Sequence, residues 1–168
     1  MVEADETYIL RSEKGSRRLR RPARRRGGKG TPANQSKDQV PVLIARDRHG
    51  SMTDAVMADK SAASITAVLQ PVVAKDAMLV SDGAHAYSSF AQAAGLLHLA
   101  LIATQGERTF GIYHIQNVNN YVSRLKGWMH RFKGVATKYL ASYLGWHRWL
   151  DRERDHATAT SCLAAALA

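Results

Sequence analysis

The segment Ala77-Met78-Leu79-Val80 constrains the fold of this chain more than any other, because it is entirely apolar. A strand without polar residues is typical of a strand that is buried on both faces. Ser81-Asp82-Gly83 follows directly and has the composition of a turn. The pattern therefore predicts an α/β protein in which this strand lies inside a sheet that is covered by helices on both faces.

The segments around this strand alternate between the period of a strand and the period of a helix. Strands are predicted over residues 2–10, 40–45, 51–58, 77–80 and 97–102. Helices are predicted over residues 61–73, with Ser61 as N-cap, and over 84–94, 114–132 and 136–149, with a loop over 105–110. The order β-β-β-α-β-α-β-α-α favours a mixed five-stranded sheet, with three antiparallel strands followed by alternating helices and strands.

The positive charge of the chain is concentrated in one stretch. Residues 11–37 contain 11 of the 24 Lys and Arg residues and one of the 14 acids, so the other 13 basic and 13 acidic residues cancel and the net charge of +10 lies here. The stretch is rich in glycine and lacks an apolar period, which predicts a mobile loop. A solubilising insert, a targeting signal and an anionic membrane partner are alternatives, but the density of arginine favours nucleic acid. The candidate phosphate contacts are Arg17, Arg18, Arg20, Arg21, Arg24, Arg25, Arg26 and Lys29.

Asn119 and Lys126 lie seven residues apart, close to two helical turns, so their side chains project from one face of a predicted helix. Ser123 lies between them on the same face. An amide oxygen and an ammonium group on one face can serve a metal ion and a phosphate together, although a solvated polar face is the simpler interpretation of this pair alone. A different face carries an apolar stripe formed by Val118, Tyr121, Leu125, Trp128 and Phe132.

Two aspartates stand where a sheet can bring them together. Asp5 lies in the middle of the first strand, where aspartate is rare, and Asp82 follows the buried strand at its carboxyl end, where α/β sheets bind ligands. Alternation places Glu3 on the same face as Asp5, and Glu6 on the opposite face. Taken singly, Asp5 can be an exposed strand acid and Asp82 a turn residue. If the first and fourth strands are neighbours, the two aspartates converge and the helix with Asn119 can pack across them.

Together, Asp5, Asp82 and Asn119 offer oxygen ligands of the kind that Mg²⁺ or Mn²⁺ prefers, and their joint placement makes a site for two such ions the better explanation. Asn119 is neutral, so metal binding is expected to be weak unless Glu3, Glu6 or a DNA phosphate contributes. A zinc site is not expected, because the chain has a single cysteine and the six histidines other than His114 show no ligand spacing.

Several blocks of the chain resemble the catalytic domain of bacterial insertion-sequence transposases of the DDE superfamily, in the branch with an Asp-Asp-Asn-Lys set (ISXO2-like transposase domain). The resemblance covers roughly residues 2–150. The matching blocks are Val2-Glu3-Ala4-Asp5-Glu6-Thr7-Tyr8-Ile9, Arg46-Asp47-Arg48-His49-Gly50, Ser81-Asp82-Gly83 with Ala86, Tyr87 and Phe90, and Tyr113 to about Trp149.

The resemblance implies an RNase H-like fold and metal-dependent cleavage and strand transfer of DNA during insertion-sequence transposition. It implies that Asp5, Asp82 and Asn119 bind the metal and that Lys126 contacts substrate DNA. Residues 1–150 would form the catalytic domain, with the basic loop inserted over 11–38 and a tail over 151–168. Such transposases usually act as multimers, so we expect a homo-oligomer on double-stranded DNA, both transposon ends and target.

Two other functions are open at this point. Relatives usually carry a DNA-recognition region before the first catalytic strand, whereas this chain begins at that strand. We therefore expect a fragment or a truncated reading frame, and a non-catalytic DNA-binding remnant is the alternative to an enzyme. A ribonuclease-H-like nuclease for RNA–DNA hybrids would explain the metal site but not the block from Tyr113 to Trp149. The acidic start, the single cysteine and the lack of a long apolar run favour a cytoplasmic protein without a membrane partner.

Overall fold

The computed structural model describes residues 1–19, 22, 38–106 and 109–167. The strands are β1 (Val2–Leu10), β2 (Gln39–Asp47), β3 (Met52–Val56), β4 (Met78–Ser81), β5 (Leu97–Ala100), β6 (Thr109–Phe110) and β7 (Tyr113–His114). The helices are α1 (Ala62–Leu69), α2 (His85–Ala94), α3 (Gln116–His130), α4 (Leu140–Glu153) and α5 (Ala159–Leu167). Short 3₁₀ turns cover Ala103–Gln105, Thr137–Tyr139 and Arg154–His156.

The main sheet has five strands in the order β3-β2-β1-β4-β5. β1, β2 and β3 form antiparallel pairs, whereas β4 runs parallel to both β1 and β5. Val2 pairs with Leu79, and Glu3 pairs with Val80, so β1 and β4 are neighbours as the convergence of Asp5 and Asp82 requires. β6 and β7 form a separate two-stranded hairpin just before α3.

Helices cover both faces of the main sheet. On one face, Val42 and Ile44 of β2 pack in a core with α3 and α4. On the other face, Leu43 and Ala45 of β2 and Ala4 of β1 pack in a core with α1 and α2. Alternation along β2 thus supplies both cores, and each Leu or Ile side chain that is fully buried stabilises the fold by about 1.5–3 kcal/mol. The apolar stripe predicted for α3 lies in the first core: Val118, Tyr121, Leu125 and Trp128.

The start of α1 was predicted correctly, and its end was not. Ser61 is the N-cap, and its hydroxyl oxygen accepts a hydrogen bond from the Ser64 N–H at 3.3 Å. The prediction that Val72 and Val73 continue the apolar stripe of this helix is wrong, because the helix ends at Leu69. Pro71 follows and has no N–H with which to continue the helical hydrogen bonds.

Other boundaries differ from the prediction as well. β3 covers Met52–Val56 rather than 51–58, β5 ends at Ala100 rather than at 102, and α3 begins at Gln116 rather than at 114. The predicted loop over 105–110 contains the end of a 3₁₀ turn and strand β6. The last predicted helix begins as a 3₁₀ turn and extends four residues further, to Glu153. α3 ends at His130, before Lys133 and Gly134, which have φ of 52° and 99° and cannot continue a right-handed helix. Within the described ranges, every helix is too short or too polar to cross a membrane.

Candidate active site

Asp5 lies near the middle of β1 and pairs with Ile44 of β2. Its side chain is half-buried. One carboxylate oxygen, Oδ1, accepts a hydrogen bond from the Glu6 N–H at 2.8 Å. The strand therefore holds the Asp5 carboxylate close to the backbone and limits its freedom to turn away.

Asp82 is the first residue after β4, where the chain turns toward α2. Its Oδ1 atom accepts a hydrogen bond from the Ala84 N–H at 3.0 Å, which stabilises the turn. Gly83 has a φ of 86°, and a Cβ atom there would lie 3.1 Å from Cγ1 of Ile102, so the turn requires glycine. Local chemistry thus directs the exposed Asp82 side chain to the end of the strand.

The structure brings three acids together, and we call them the carboxylate cluster: Asp5, Glu6 and Asp82 each place one oxygen within 4.8 Å of the others. Alternation along β1 predicted that Glu6 would project from the opposite face. The recorded pairing of β1 with β4 reaches only Glu3, and β4 ends at Ser81. Beyond Glu3, β4 no longer pairs with β1, although β2 pairs with it throughout, and at that edge of β1 the Glu6 carboxylate lies beside those of Asp5 and Asp82.

The electrostatics of the carboxylate cluster differ from those of ordinary surface acids. The pKa of Asp5 is raised to about 6, chiefly by burial; the Glu6 N–H and Lys126 oppose the rise, and the charges of Asp82 and Glu6 add to it. Burial also raises the pKa of Glu6, against the hydrogen bond that it accepts from Tyr87. Among the described residues, no ion pair involves the three carboxylates. Acids crowded in this way disfavour one another's ionised forms.

Glu3 holds the N-terminal end of α3 against the sheet. Its carboxylate is 1% exposed and accepts hydrogen bonds from the N–H groups of Asn117 at 2.9 Å and Val118 at 3.4 Å. It also accepts one from the Asn117 amide at 2.7 Å. Arg48 Nε and His114 Nδ1 lie 3.3 and 3.4 Å from Oε1 of Glu3. A carboxylate in this position satisfies helix N–H groups and interacts favourably with the helix dipole.

Asn119 and Lys126 project from an exposed face of α3, with Ser123 between them, as the spacing predicted. The charge of Lys126 acts to lower the pKa of Asp5, so the ammonium lies within electrostatic range of the carboxylate cluster. The backbone N–H of Asn119 donates to the carbonyl of Ile115 at 3.1 Å. Within the described residues, no hydrogen bond joins the Asn119 side chain to the cluster, so its place among the metal ligands stays a prediction.

Part of the predicted basic loop lies within the described residues. Arg17 and Arg18 are exposed there. The Lys14 ammonium donates to the carbonyl oxygens of Phe132 at 2.7 Å and Gly134 at 3.0 Å, which ties the start of the basic stretch to the chain just after α3. The remaining candidate phosphate contacts lie outside the described residues: Arg20, Arg21, Arg24, Arg25, Arg26 and Lys29.

Two residues that the sequence did not single out lie beside the carboxylate cluster. Lys60 Nζ lies 5.6 Å from the centre of the Tyr8 ring, and the Tyr8 side chain is 38% exposed. Burial raises the pKa of Tyr8, and the charge of Glu6 adds to the rise. The alternation of β1 already placed Glu6 and Tyr8 on one face, so the sequence contained a signal for this edge of the site.

A cavity of about 1240 Å³ lies elsewhere, between the turn after β2 and helices α4 and α5. Arg46, Trp146 and Arg148 are among its lining residues, and Asp151 is the one acid that the described residues contribute to the lining. None of the carboxylate cluster lines this cavity. The cluster offers oxygen donors of the kind that hard divalent cations prefer, so it is the candidate active site.

Comparison with known proteins agrees with this geometry. The profile of the family described as ISXO2-like transposase domain matches residues 1–149. No curated protein and no solved structure matches the chain. The sheet order, with three antiparallel strands followed by parallel strands and with helices on both faces, confirms the predicted α/β RNase H-like fold. The chain therefore belongs to the ISXO2-like transposase domain family.

Proposed function

We propose that the protein catalyses metal-dependent cleavage and strand transfer of DNA during the transposition of an insertion sequence. The observation that carries the proposal is the meeting of Asp5 and Asp82, from two parallel neighbouring strands, with ligand oxygens within 4.8 Å. Membership in a transposase domain family supports the same reaction. The proposed catalytic unit spans residues 1–150, with the basic segment over 11–38 and a C-terminal tail over 151–168.

The proposed metal ligands are Asp5, Asp82 and Asn119, and the ions are Mg²⁺ or Mn²⁺, two in number. The donor set fits these ions, because hard divalent cations prefer oxygen ligands, and because the described residues offer the carboxylate cluster no ion pair of its own. The bound ions would supply activation of a water or a DNA 3′-hydroxyl and stabilisation of the leaving oxygen. Asn119 would contribute an oxygen without a charge.

Lys126 is proposed to hold a DNA phosphate beside the scissile bond. Its exposed ammonium acts on Asp5 from the adjacent face of α3, and lysine is a compact point charge that suits a phosphate oxygen. The proposed substrate is double-stranded DNA in the cytoplasm, bound by a homo-oligomer. Arg17 and Arg18, with the rest of the basic loop, would contact the DNA backbone, which positions the duplex without reading its sequence.

A cleavage and strand-transfer assay on duplex DNA tests the proposal with the full chain. We expect products with Mg²⁺ or Mn²⁺, none with a chelator, and none from Asp82→Asn. The matched control is Asp76→Asn, because Asp76 is an exposed aspartate that precedes β4 as Asp82 follows it. The control is expected to keep wild-type activity, whereas full activity in Asp82→Asn would contradict the proposal.

The same assay separates the other functions. Duplex DNA that is bound but never cleaved, with either metal, would favour a DNA-binding protein without catalysis. Cleavage confined to RNA–DNA hybrids would favour a ribonuclease. Products that retain the transposon end joined to a new strand are the result expected of a transposase.

A further inference from the structure

Glu3 and Glu6 lie on either side of Asp5 along β1, and their side chains make different contacts. Glu3 is almost fully buried, and both of its oxygens are occupied by contacts with α3 and with Arg48. It is therefore committed to holding α3 in place. Glu6 is half-buried and belongs to the carboxylate cluster. Of the two acids that could add charge to a metal site, only Glu6 has an oxygen beside both Asp5 and Asp82.

Tyr87 fixes the Glu6 side chain. The Tyr87 hydroxyl, on α2, donates a hydrogen bond to Oε2 of Glu6 at 2.8 Å. Tyr87 is itself fully buried in the core between the sheet and α2, so its hydroxyl has a defined position. A carboxylate that is held by one hydrogen bond keeps lone pairs on both oxygens for a cation. Hydrogen bonds of this kind orient metal ligands in proteins.

We propose that Glu6 is a third carboxylate ligand of the metal site, positioned by Tyr87. This inference rests on the proposed function and deepens it. Asp5, Glu6 and Asp82 together carry three negative charges, where Asp5 and Asp82 alone carry two. Glu6 would thus supply a negative charge to the metal site, which the neutral Asn119 does not. Mg²⁺ usually takes one or two carboxylates per ion, and three carboxylates shared by two ions satisfy that preference.

The direct test measures Mn²⁺ binding to the full chain without DNA, by the loss of the electron paramagnetic resonance signal of free Mn²⁺ during titration. Glu6→Gln keeps the size of the side chain and removes its charge, and we expect Mn²⁺ affinity to fall about tenfold or more. Tyr87→Phe is expected to weaken binding by a smaller factor, because the ligand remains but loses its orienting hydrogen bond. Glu153→Gln, at the exposed end of α4, is the matched control and is expected to leave the affinity unchanged.

A second measurement guards against a variant that binds metal poorly because it is unfolded. Thermal unfolding without metal is expected to give Glu6→Gln a midpoint at least equal to that of the wild type, because the substitution removes one of three crowded negative charges. Added Mn²⁺ is expected to raise the midpoint less for Glu6→Gln than for the wild type. Glu6→Asp, which keeps the charge on a shorter side chain, is expected to restore part of the affinity.

The outcomes distinguish this inference from the proposed function. Wild-type Mn²⁺ affinity in Glu6→Gln, together with weakened binding in Asp82→Asn, would overturn the role of Glu6 and leave the proposed function intact. Unchanged binding in both variants, or no binding by the wild type, would overturn the metal site itself. Weakened binding in both, with an unaffected Glu153→Gln, is the result that supports Glu6 as a ligand.

Discussion

Acidic side chains have different partners in two regions of the molecule. One region is the carboxylate cluster, and the other is formed by the polar contacts between β3, α3 and α4. In the second region, Asp54 is paired with Arg148 and accepts a hydrogen bond from the Tyr121 hydroxyl at 2.6 Å. Asp151 accepts two hydrogen bonds from Arg124, at 2.6 and 2.9 Å. In the cluster, the carboxylates of three acids lie close together, and none of them forms an ion pair with a described residue.

The pKa values of the two regions follow this difference. Burial alone would raise the pKa of Asp151, but the hydrogen bond and charge of Arg124 hold it below its usual value. Burial raises the pKa of Asp5 to about 6, because the nearby Lys126 is too weak a partner to compensate. The comparison teaches that this fold neutralises the acids that it uses for packing and leaves unpaired the acids that we assign to a metal.

The largest expected effect comes from Asp5→Asn. We expect DNA cleavage to fall by about 10³-fold, or about 4 kcal/mol of barrier, because a ligand of the proposed metal ions is lost. The unfolding midpoint should not fall, because crowding of negative charge is relieved. Asp54→Asn should do the opposite, with lower stability and near-normal cleavage per folded molecule. Equal loss of stability in the two variants would break the comparison.

The next effect is on stability alone. Arg148→Ala leaves the buried Asp54 carboxylate without its cation, and we expect the free energy of unfolding to fall by about 3 kcal/mol in urea titrations. The control is Arg152→Ala, whose partner is the neighbouring Glu153 on the surface and whose loss should cost about 0–1 kcal/mol. Similar losses of unfolding free energy in the two variants would show that the Asp54–Arg148 pair contributes no more to stability than a surface pair.

The unpaired acids should also make metal binding depend on pH. Asp5 must lose its proton to bind Mn²⁺, and its pKa in the folded chain is about 6. Affinity should therefore rise by up to about tenfold per pH unit below 6 and level off above that value. Isothermal titration of the full chain between pH 5 and 8 measures this dependence. Affinity that does not change from pH 5 to 7 would show that Asp5 is not a ligand.

The smallest effect extends the comparison to arginines. Arg17 and Arg18 are exposed, in contrast to the paired Arg124 and Arg148. The double variant Arg17→Ala with Arg18→Ala should reduce the slope of log affinity against log salt by about 0.9 for each phosphate contact that is lost. Fluorescence anisotropy with duplex DNA measures the slope, and Lys75→Ala, before β4, is the control. An unchanged slope would remove both residues from the DNA contacts.

Much of the fold could be predicted from local pattern. The apolar segment Ala77–Val80 correctly predicted an interior strand, and Ser61 correctly predicted the start of α1. The same patterns overextended α1 to Val73, because hydrophobic periodicity continued past a proline that ends the hydrogen-bond ladder. The hairpin of β6 and β7 was missed because two-residue strands carry almost no period.

The candidate site was predicted in part, for a physical reason that β1 illustrates. The sequence predicted that Asp5 and Asp82 lie close together, because neighbouring parallel strands place their carboxyl ends at one edge of the sheet. Glu6 was named only as one possible contributor to metal binding, together with Glu3, since strict alternation assigns Glu6 to the other face. The point at which β4 stops pairing with β1 depends on the tertiary structure. Beyond that point, the carboxylates of Glu6, Asp5 and Asp82 lie close together.

By itself, the sequence determined the order of the five strands of the main sheet and of the helices up to α4, the exposed stripe with Asn119 and Lys126, and the location of the excess positive charge. These follow from periodicity, capping and composition, which act over a few neighbouring residues. Only the tertiary structure decided which of the described acids form ion pairs and which do not. The reason is that Asp54 contacts Tyr121, 67 residues away along the chain, and Glu3 contacts Asn117, 114 residues away, and no local pattern records so distant a pairing.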